Sequence, residues 1–108
     1  MSNSGQLLEL RVKEELEDIT KSCKLTAGSG AFHDDGDVIT EGPGLLIECK
    51  FRNKSNIILD HKVMQKVSRQ AARTGKDWII VSENSEGEIV ASMDLSTLTF
   101  LLDLAKEK

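Results

Sequence analysis

The 108 residues contain no apolar run approaching the roughly 20 needed to span a bilayer, no internal repeat and no low-complexity segment. The expectation is therefore a protein with no membrane partner. Met1 to Gly5 is small and polar and leads straight into a charged segment, so a secretory signal pattern is lacking and the expected compartment is the cytoplasm. Proline occurs once and cysteine twice. Cys23 and Cys49, taken with His33 and His61, have none of the close paired spacing of a zinc site. In a reducing compartment both thiols read most simply as buried apolar residues.

What is present is the composition of a globular domain, 39% hydrophobic and 30% charged, and its length suits one domain over residues 1–108. The formal net charge of −4 hides an asymmetry. The segment 50–76 holds eight of the fourteen basic side chains (Lys50, Arg52, Lys54, Lys62, Lys66, Arg69, Arg73 and Lys76) against one acid, Asp60. A local patch of this kind meets phosphates whatever the total charge, although a solvated helix face accounts for it equally well on charge alone.

In chain order, Leu8, Val12, Leu16, Ile19 and Cys23 recur at spacings of four, four, three and four, which predicts an amphipathic helix from Gln6 to about Cys23 with Ser4 as a cap. Glu9 lies in its first turn at the margin of the apolar stripe, placed to reach the sheet edge; Glu15, at the opposite margin, is the weaker rival. Lys24 to Ala27 reads as a short strand. Gly28-Ser29-Gly30 after it serves either as a phosphate-contacting loop or as a plain turn. His33 reads as a surface residue. Asp37, Val38 and Ile39 begin a second strand that turns at Glu41-Gly42-Pro43-Gly44 into the strand Leu45 to Phe51.

Alternation along that third strand puts Leu45, Ile47, Cys49 and Phe51 on one face and Leu46, Glu48, Lys50 and Arg52 on the other. A carboxylate and an ammonium thus share a face inside an apolar run, beside the acidic turn Asp34-Asp35-Gly36-Asp37. Asp37 and Glu48, on adjacent strands, could hold a hard divalent cation through oxygen ligands, with Lys50 orienting a water for phosphodiester hydrolysis. An EF-hand loop does not fit: with its glycine at Gly36 or Gly42, required ligand positions fall on Ala31, Gly42 or Ile39.

Past Ile57-Ile58-Leu59, Asp60 is a good N-cap for a helix to about Thr74, with Gly75 just beyond. Val63, Met64, Val67 and Ala71 form its predicted buried line. Lys62, Lys66, Arg69 and Arg73 form a basic stripe with Gln65 beside it, suited to reading a phosphate backbone. Asp77 to Ser82 and Glu88 to Ser92 read as strands joined at Asn84-Ser85-Glu86-Gly87. Asp94 is placed to cap a last helix to about Lys106. On it Leu95, Leu98, Leu101, Leu102 and Ala105 share one side and Phe100 and Leu104 lie nearly opposite, a pattern that leaves one apolar face for a partner subunit.

The order helix, strand, strand, strand, helix, strand resembles the PD-(D/E)xK nuclease superfamily, and within it the archaeal-type Holliday-junction resolvases and their small phage-encoded relatives. The pieces that carry the likeness are Gly5-x-x-x-Glu9, Ala27-Gly28-Ser29-Gly30, Gly36-Asp37-Val38, Ile47-Glu48-Cys49-Lys50, and the basic helix ending at Gly75 before Ile79-Ile80-Val81. Gly36 stands where the motif has Pro, and the loop from Gly30 to Asp37 is long and acidic.

The resemblance implies an α/β, restriction-endonuclease-like fold: a mixed sheet of about five strands flanked by helices. It implies Mg2+ or Mn2+ held by Glu9, Asp37, Glu48 and the Cys49 carbonyl, with Lys50 at the attacking water and Ser29 on a loop that closes over the cleaved strand. Arg52, Lys54, Lys62, Gln65, Lys66, Arg69 and Arg73 would meet DNA. The implied activity is homodimeric cutting of branched DNA, in the host cytoplasm for a phage protein. Action on duplex, flap or single-stranded DNA, or a non-catalytic DNA-binding module, are the alternatives.

Overall fold

The computed structural model of the chain describes residues 4–26 and 37–107. The elements in order are α1 (Ser4–Leu16), β1 (Ser22–Leu25), β2 (Asp37–Glu41), β3 (Leu45–Phe51), α2 (His61–Arg73), β4 (Asp77–Glu83), β5 (Ile89–Met93) and α3 (Leu95–Lys106). The class is α/β, a five-stranded mixed sheet in the order β1-β2-β3-β4-β5 flanked by three helices. Only β3 and β4 run parallel; the other neighbours are antiparallel. A parallel pair cannot be joined by a tight turn, and α2 supplies the crossover.

Strand alternation sorts the core into two layers. Leu45, Ile47 and Cys49 of β3, with Val38, Ile79 and Val81, pack under Leu8 and Val12 of α1. Leu46, Trp78 and Ile80 pack on the other face against Val67 and Ala71 of α2, with Val63 and Met64 at the margin. Asp60 caps α2 as expected, its Oδ1 accepting from the Lys62 amide at 2.7 Å. Gly75 follows the helix at φ 68°, a conformation open to glycine without strain. The β2–β3 turn is closed by buried Thr40, whose hydroxyl donates to the Pro43 carbonyl at 2.6 Å and accepts from the Leu45 amide at 3.2 Å.

Three expectations are corrected. The first helix stops at Leu16, not near Cys23, because the Thr20 hydroxyl takes the Leu16 carbonyl at 2.9 Å and the chain turns there. Cys23 sits in β1 opposite Thr40, which shifts that strand to Ser22–Leu25, and Ile19 is left exposed. Hydrophobic spacing runs on through the turn, but pairing with β2 recruits the last residue of the series. Asp94 stands at the N-cap position of α3, yet its side chain makes no cap bond; its carbonyl accepts from Thr97 and Leu98 instead. On α3 the inward side carries buried Thr97 and half-buried Leu101 and Leu104, while Leu95, Leu98, Phe100 and Leu102 are exposed, Leu95 at 75%. Among the described residues no helix is long and apolar enough to cross a membrane.

Candidate active site

β2 and β3 set two of the motif residues opposite each other in register: Asp37 is the direct cross-strand partner of Glu48. Glu48 is 6% exposed, in the middle of a strand whose flanking residues are core. Two residues on, hence on the same face, Lys50 places its Nζ 3.6 Å from Glu48 Oε1. Removing a carboxylate from water costs several kcal/mol in a real protein. An ion pair at this separation returns about 4 kcal/mol at an effective dielectric near 20. The ion pair by itself does little more than offset the cost of burying Glu48. A buried carboxylate beside a lysine, at the mouth of a cleft, is an arrangement common at sites that carry out chemistry.

Lys50 leads from the buried carboxylate into a cleft of about 170 Å³ on the α2 face. Arg52 and Ser82 line it with Lys50, over Val63 and Ile80, with Ile58, Leu59 and Asp60 along the rim. Ser82 arrives there because β4 runs parallel to β3 and pairs it with Lys50. Sequence reasoning passed over Ser82, Ile58 and Leu59. The sign of Ser82 was a hydroxyl at the end of an otherwise apolar strand; Ile58 and Leu59 had none beyond being apolar in a polar loop.

Glu9 is 9% exposed and lies on the buried side of α1 with Gly5, Leu8 and Val12. Val12 and Leu16 line a cavity with Leu45 and Ile47, the beginning of β3, so α1 runs back along the strand and carries Glu9 toward the Glu48–Phe51 end. Glu9 and Glu48 thus come to one end of the sheet from opposite faces. Glu15 is exposed and pairs with Arg11 at 3.7 Å. The Cys49 side chain is fully buried in the α1-side core. Among the described residues no group of three His, Cys, Asp or Glu side chains is assembled to hold a metal ion. Ser29, His33, Asp34 and Asp35 lie outside the described residues.

The side chains near this end of the sheet are of the oxygen-donor type that a hard cation takes. They offer carboxylate oxygen from two buried side chains, with a third carboxylate-bearing residue opposite one of them, and neither thiolate nor imidazole.

The basic residues divide by use. Lys76 is committed to structure, its Nζ 2.6 Å from Glu41 Oε1 across the β2–β3 turn, and Lys50 is committed to Glu48. Lys62, Lys66, Arg69 and Arg73 are exposed along α2, with exposed Gln65 beside them, and none of the four has a salt-bridge partner among the described residues. From position 62 to 73 the stripe spans about 16 Å, close to five base-pair steps of B-form DNA. It begins two residues past Asp60 at the cleft rim. Arg52 is half-buried in the cleft and Lys54 is exposed in the loop beyond it.

That loop, residues 52–60, is pinned by the β4–β5 turn. The Arg52 amide donates to the Glu83 carbonyl at 2.9 Å and the Ser85 amide to the Lys54 carbonyl at 3.0 Å. Buried Asn84 donates from Nδ2 to the Ser55 carbonyl and to Glu88 Oε1, both at 2.8 Å. Its Oδ1 accepts from the amides of Glu86 and Glu88 at 3.1 and 2.8 Å. All four side-chain hydrogen-bonding positions of the amide are filled, so the cleft wall rests on one residue that sequence reading took for a turn.

Comparisons of the chain with protein-family models, with curated proteins and with solved structures find no match.

Proposed function

We propose that this protein is a divalent-metal-dependent DNA endonuclease of the PD-(D/E)xK kind, acting on branched DNA such as four-way junctions as a homodimer. The observation that carries the reading is Glu48 and Lys50 two residues apart on one strand face, with Asp37 directly opposite Glu48 and the lysine opening into a cleft that also holds Arg52. Bound by Glu9, Asp37, Glu48 and the Cys49 carbonyl, Mg2+ or Mn2+ would supply Lewis acidity toward the phosphate and lower the pKa of water.

The chain's own groups do the rest. The Lys50 ammonium orients the attacking water and meets the negative charge that builds on the phosphate oxygens. Water adds to phosphorus as the P–O3′ bond breaks, leaving a 3′-hydroxyl and a 5′-phosphate. Arg52 holds a phosphate beside the cut, and Lys54, Lys62, Gln65, Lys66, Arg69 and Arg73 hold the strand that leads into the cleft. Such backbone binding carries position and no base sequence, which suits selection by DNA shape. Symmetric cutting needs two sites related by a two-fold axis, and the exposed row Leu95, Leu98 and Leu102 is the surface for a second copy.

The test is to incubate the purified protein and its Glu48→Ala variant with Mg2+ and matched labelled four-way junction, flap and linear duplex. Cutting of the junction by the wild type alone is the expected result. Equal cutting of all three DNAs removes the preference for branches, and binding without cutting under any divalent ion turns the reading into that of a DNA-binding module. Sedimentation decides the dimer, which a monomer at high concentration rules out.

A further inference from the structure

Two side chains in the cleft have no part in that chemistry. Ile58 and Leu59 are 53% and 46% exposed on its rim, beside Lys50 and Arg52. Single exposed apolar residues are ordinary on a protein surface. Two adjacent ones sharing a small cleft with a lysine and an arginine are a different case, because one ligand has to satisfy both. Nor do they sit on a loose segment: the loop is held at Arg52, Lys54 and Ser55 by the β4–β5 turn, and it ends at Asp60, which accepts from Lys62 and Met64 at the start of α2. These ties hold both ends of the loop beside the cleft.

The chemistry that matches is a nucleotide: an apolar planar base against Ile58 and Leu59, with its phosphate toward Arg52 and Lys50. The cleft, at about 170 Å³, is smaller than the few hundred Å³ of sites that enclose drug-sized ligands, and it suits a single ring system entering from an adjoining strand. In continuous duplex DNA the faces of a base are covered by its neighbours. A base whose stack is broken, at a branch point or beside a mismatch, has a free face. Apolar side chains that enter such a step are a recurring device of proteins that hold kinked or opened DNA.

Resting on the nuclease reading above, we propose that Ile58 and Leu59 form an apolar wedge that takes an unstacked base next to the cut phosphate, and that this contact selects branched over continuous DNA.

The test uses the full chain in the Glu48→Gln background, which leaves DNA uncut, with 2-aminopurine at the branch point of a four-way junction or at the same sequence in linear duplex. Binding should raise junction emission about threefold or more, and duplex emission little, as the base leaves its stack. Ile58→Ser with Leu59→Ser should bind the junction without the rise. With Glu48 restored, the same pair should slow junction cutting about tenfold or more and bring the ratio of junction to duplex cutting down by about as much.

Equal emission from both proteins, or equal loss of cutting on both DNAs, overturns the wedge while the nuclease reading stands. If the serine pair turns a dimer into a monomer on sedimentation, the pair belongs to an interface between copies and the wedge is likewise overturned. Failure of the wild-type protein to bind any of these DNAs removes the nuclease reading and the wedge with it.

Discussion

Lys50 Nζ lies 3.6 Å from Glu48 Oε1, yet the two ends of this pair live in different surroundings: the lysine side chain is about a third exposed and the glutamate is buried. Water can take up the charge of one partner and not of the other. This asymmetry makes the pair separable by mutation.

Glu48→Gln leaves behind a lysine that reaches solvent. Its unfolding free energy should stay within about 1 kcal/mol of wild type, while DNA cutting falls at least about a hundredfold. Lys50→Met leaves a buried carboxylate with one partner fewer and should lose about 2–3 kcal/mol as well as activity. Urea denaturation of the two variants, set beside their cleavage rates, checks both. Equal stability losses would mean that Glu48 is held mainly by other groups.

The α2 stripe should act through phosphates alone. Changing Lys62, Lys66, Arg69 or Arg73 singly to Gln should lower the slope of log K against log salt by about one for each phosphate no longer neutralised, with unfolding free energy changed by less than about 0.5 kcal/mol. Filter binding at several salt concentrations measures the slope. Lys76→Gln is the control, since its partner is Glu41, and it should leave the slope unchanged.

Asn84 joins the β4–β5 turn to the cleft loop through Ser55, 29 residues away along the chain. Asn84→Ala removes four hydrogen bonds and strands buried partners, for an expected loss of about 3 kcal/mol. Asn84→Asp sets a carboxylate against the Ser55 carbonyl and Glu88 Oε1, an arrangement favoured only while the new carboxyl is protonated. Its stability deficit relative to wild type should therefore shrink on going from pH 7 to pH 4.5. Chemical denaturation at the two values decides, and a deficit independent of pH would mean that the turn had rearranged.

Burial pushes the Cys23 thiol above its ordinary value, partly offset by the Lys13 ammonium and reinforced by the Glu17 carboxylate. The thiolate is the reactive form, so alkylation of Cys23 by iodoacetamide should be slower at pH 8 than that of a free thiol and should climb as the pH passes 9. Cys49, fully buried in the core, should react only as fast as the chain unfolds. Mass spectrometry of timed samples separates the two sites.

Much of this architecture was legible in one dimension because the signals involved are local. The period-two pattern from Leu45 to Arg52 set the two faces of β3 before any tertiary neighbour was known, and the clusters on either side of the sheet follow it. Asp60 and Gly75 bounded α2 through cap chemistry that needs only neighbouring backbone groups. Where periodicity outran the element, the reading failed. Ile19 and Cys23 continue the stripe of α1, but a hydroxyl at Thr20 and a strand partner in β2 end it at Leu16. The orientation of α3 was left open for a related reason: leucine spacing marks an apolar side without saying which surface is there to cover it.

The sequence by itself determined the strand faces, the caps of α2, the charge stripe along it and the pairing of Glu48 with Lys50 on one side, since each depends on residues no more than a few positions apart. Only the tertiary structure decided that Asp37 stands across from Glu48, that Ser82 comes to Lys50 through a parallel strand, and that Asn84 holds the loop carrying Ile58 and Leu59. Those relations join segments up to 32 residues apart. They come from the register of the sheet and from hydrogen bonds between loops, which no local pattern encodes because chain entropy, hydrophobic burial and strand pairing settle them together.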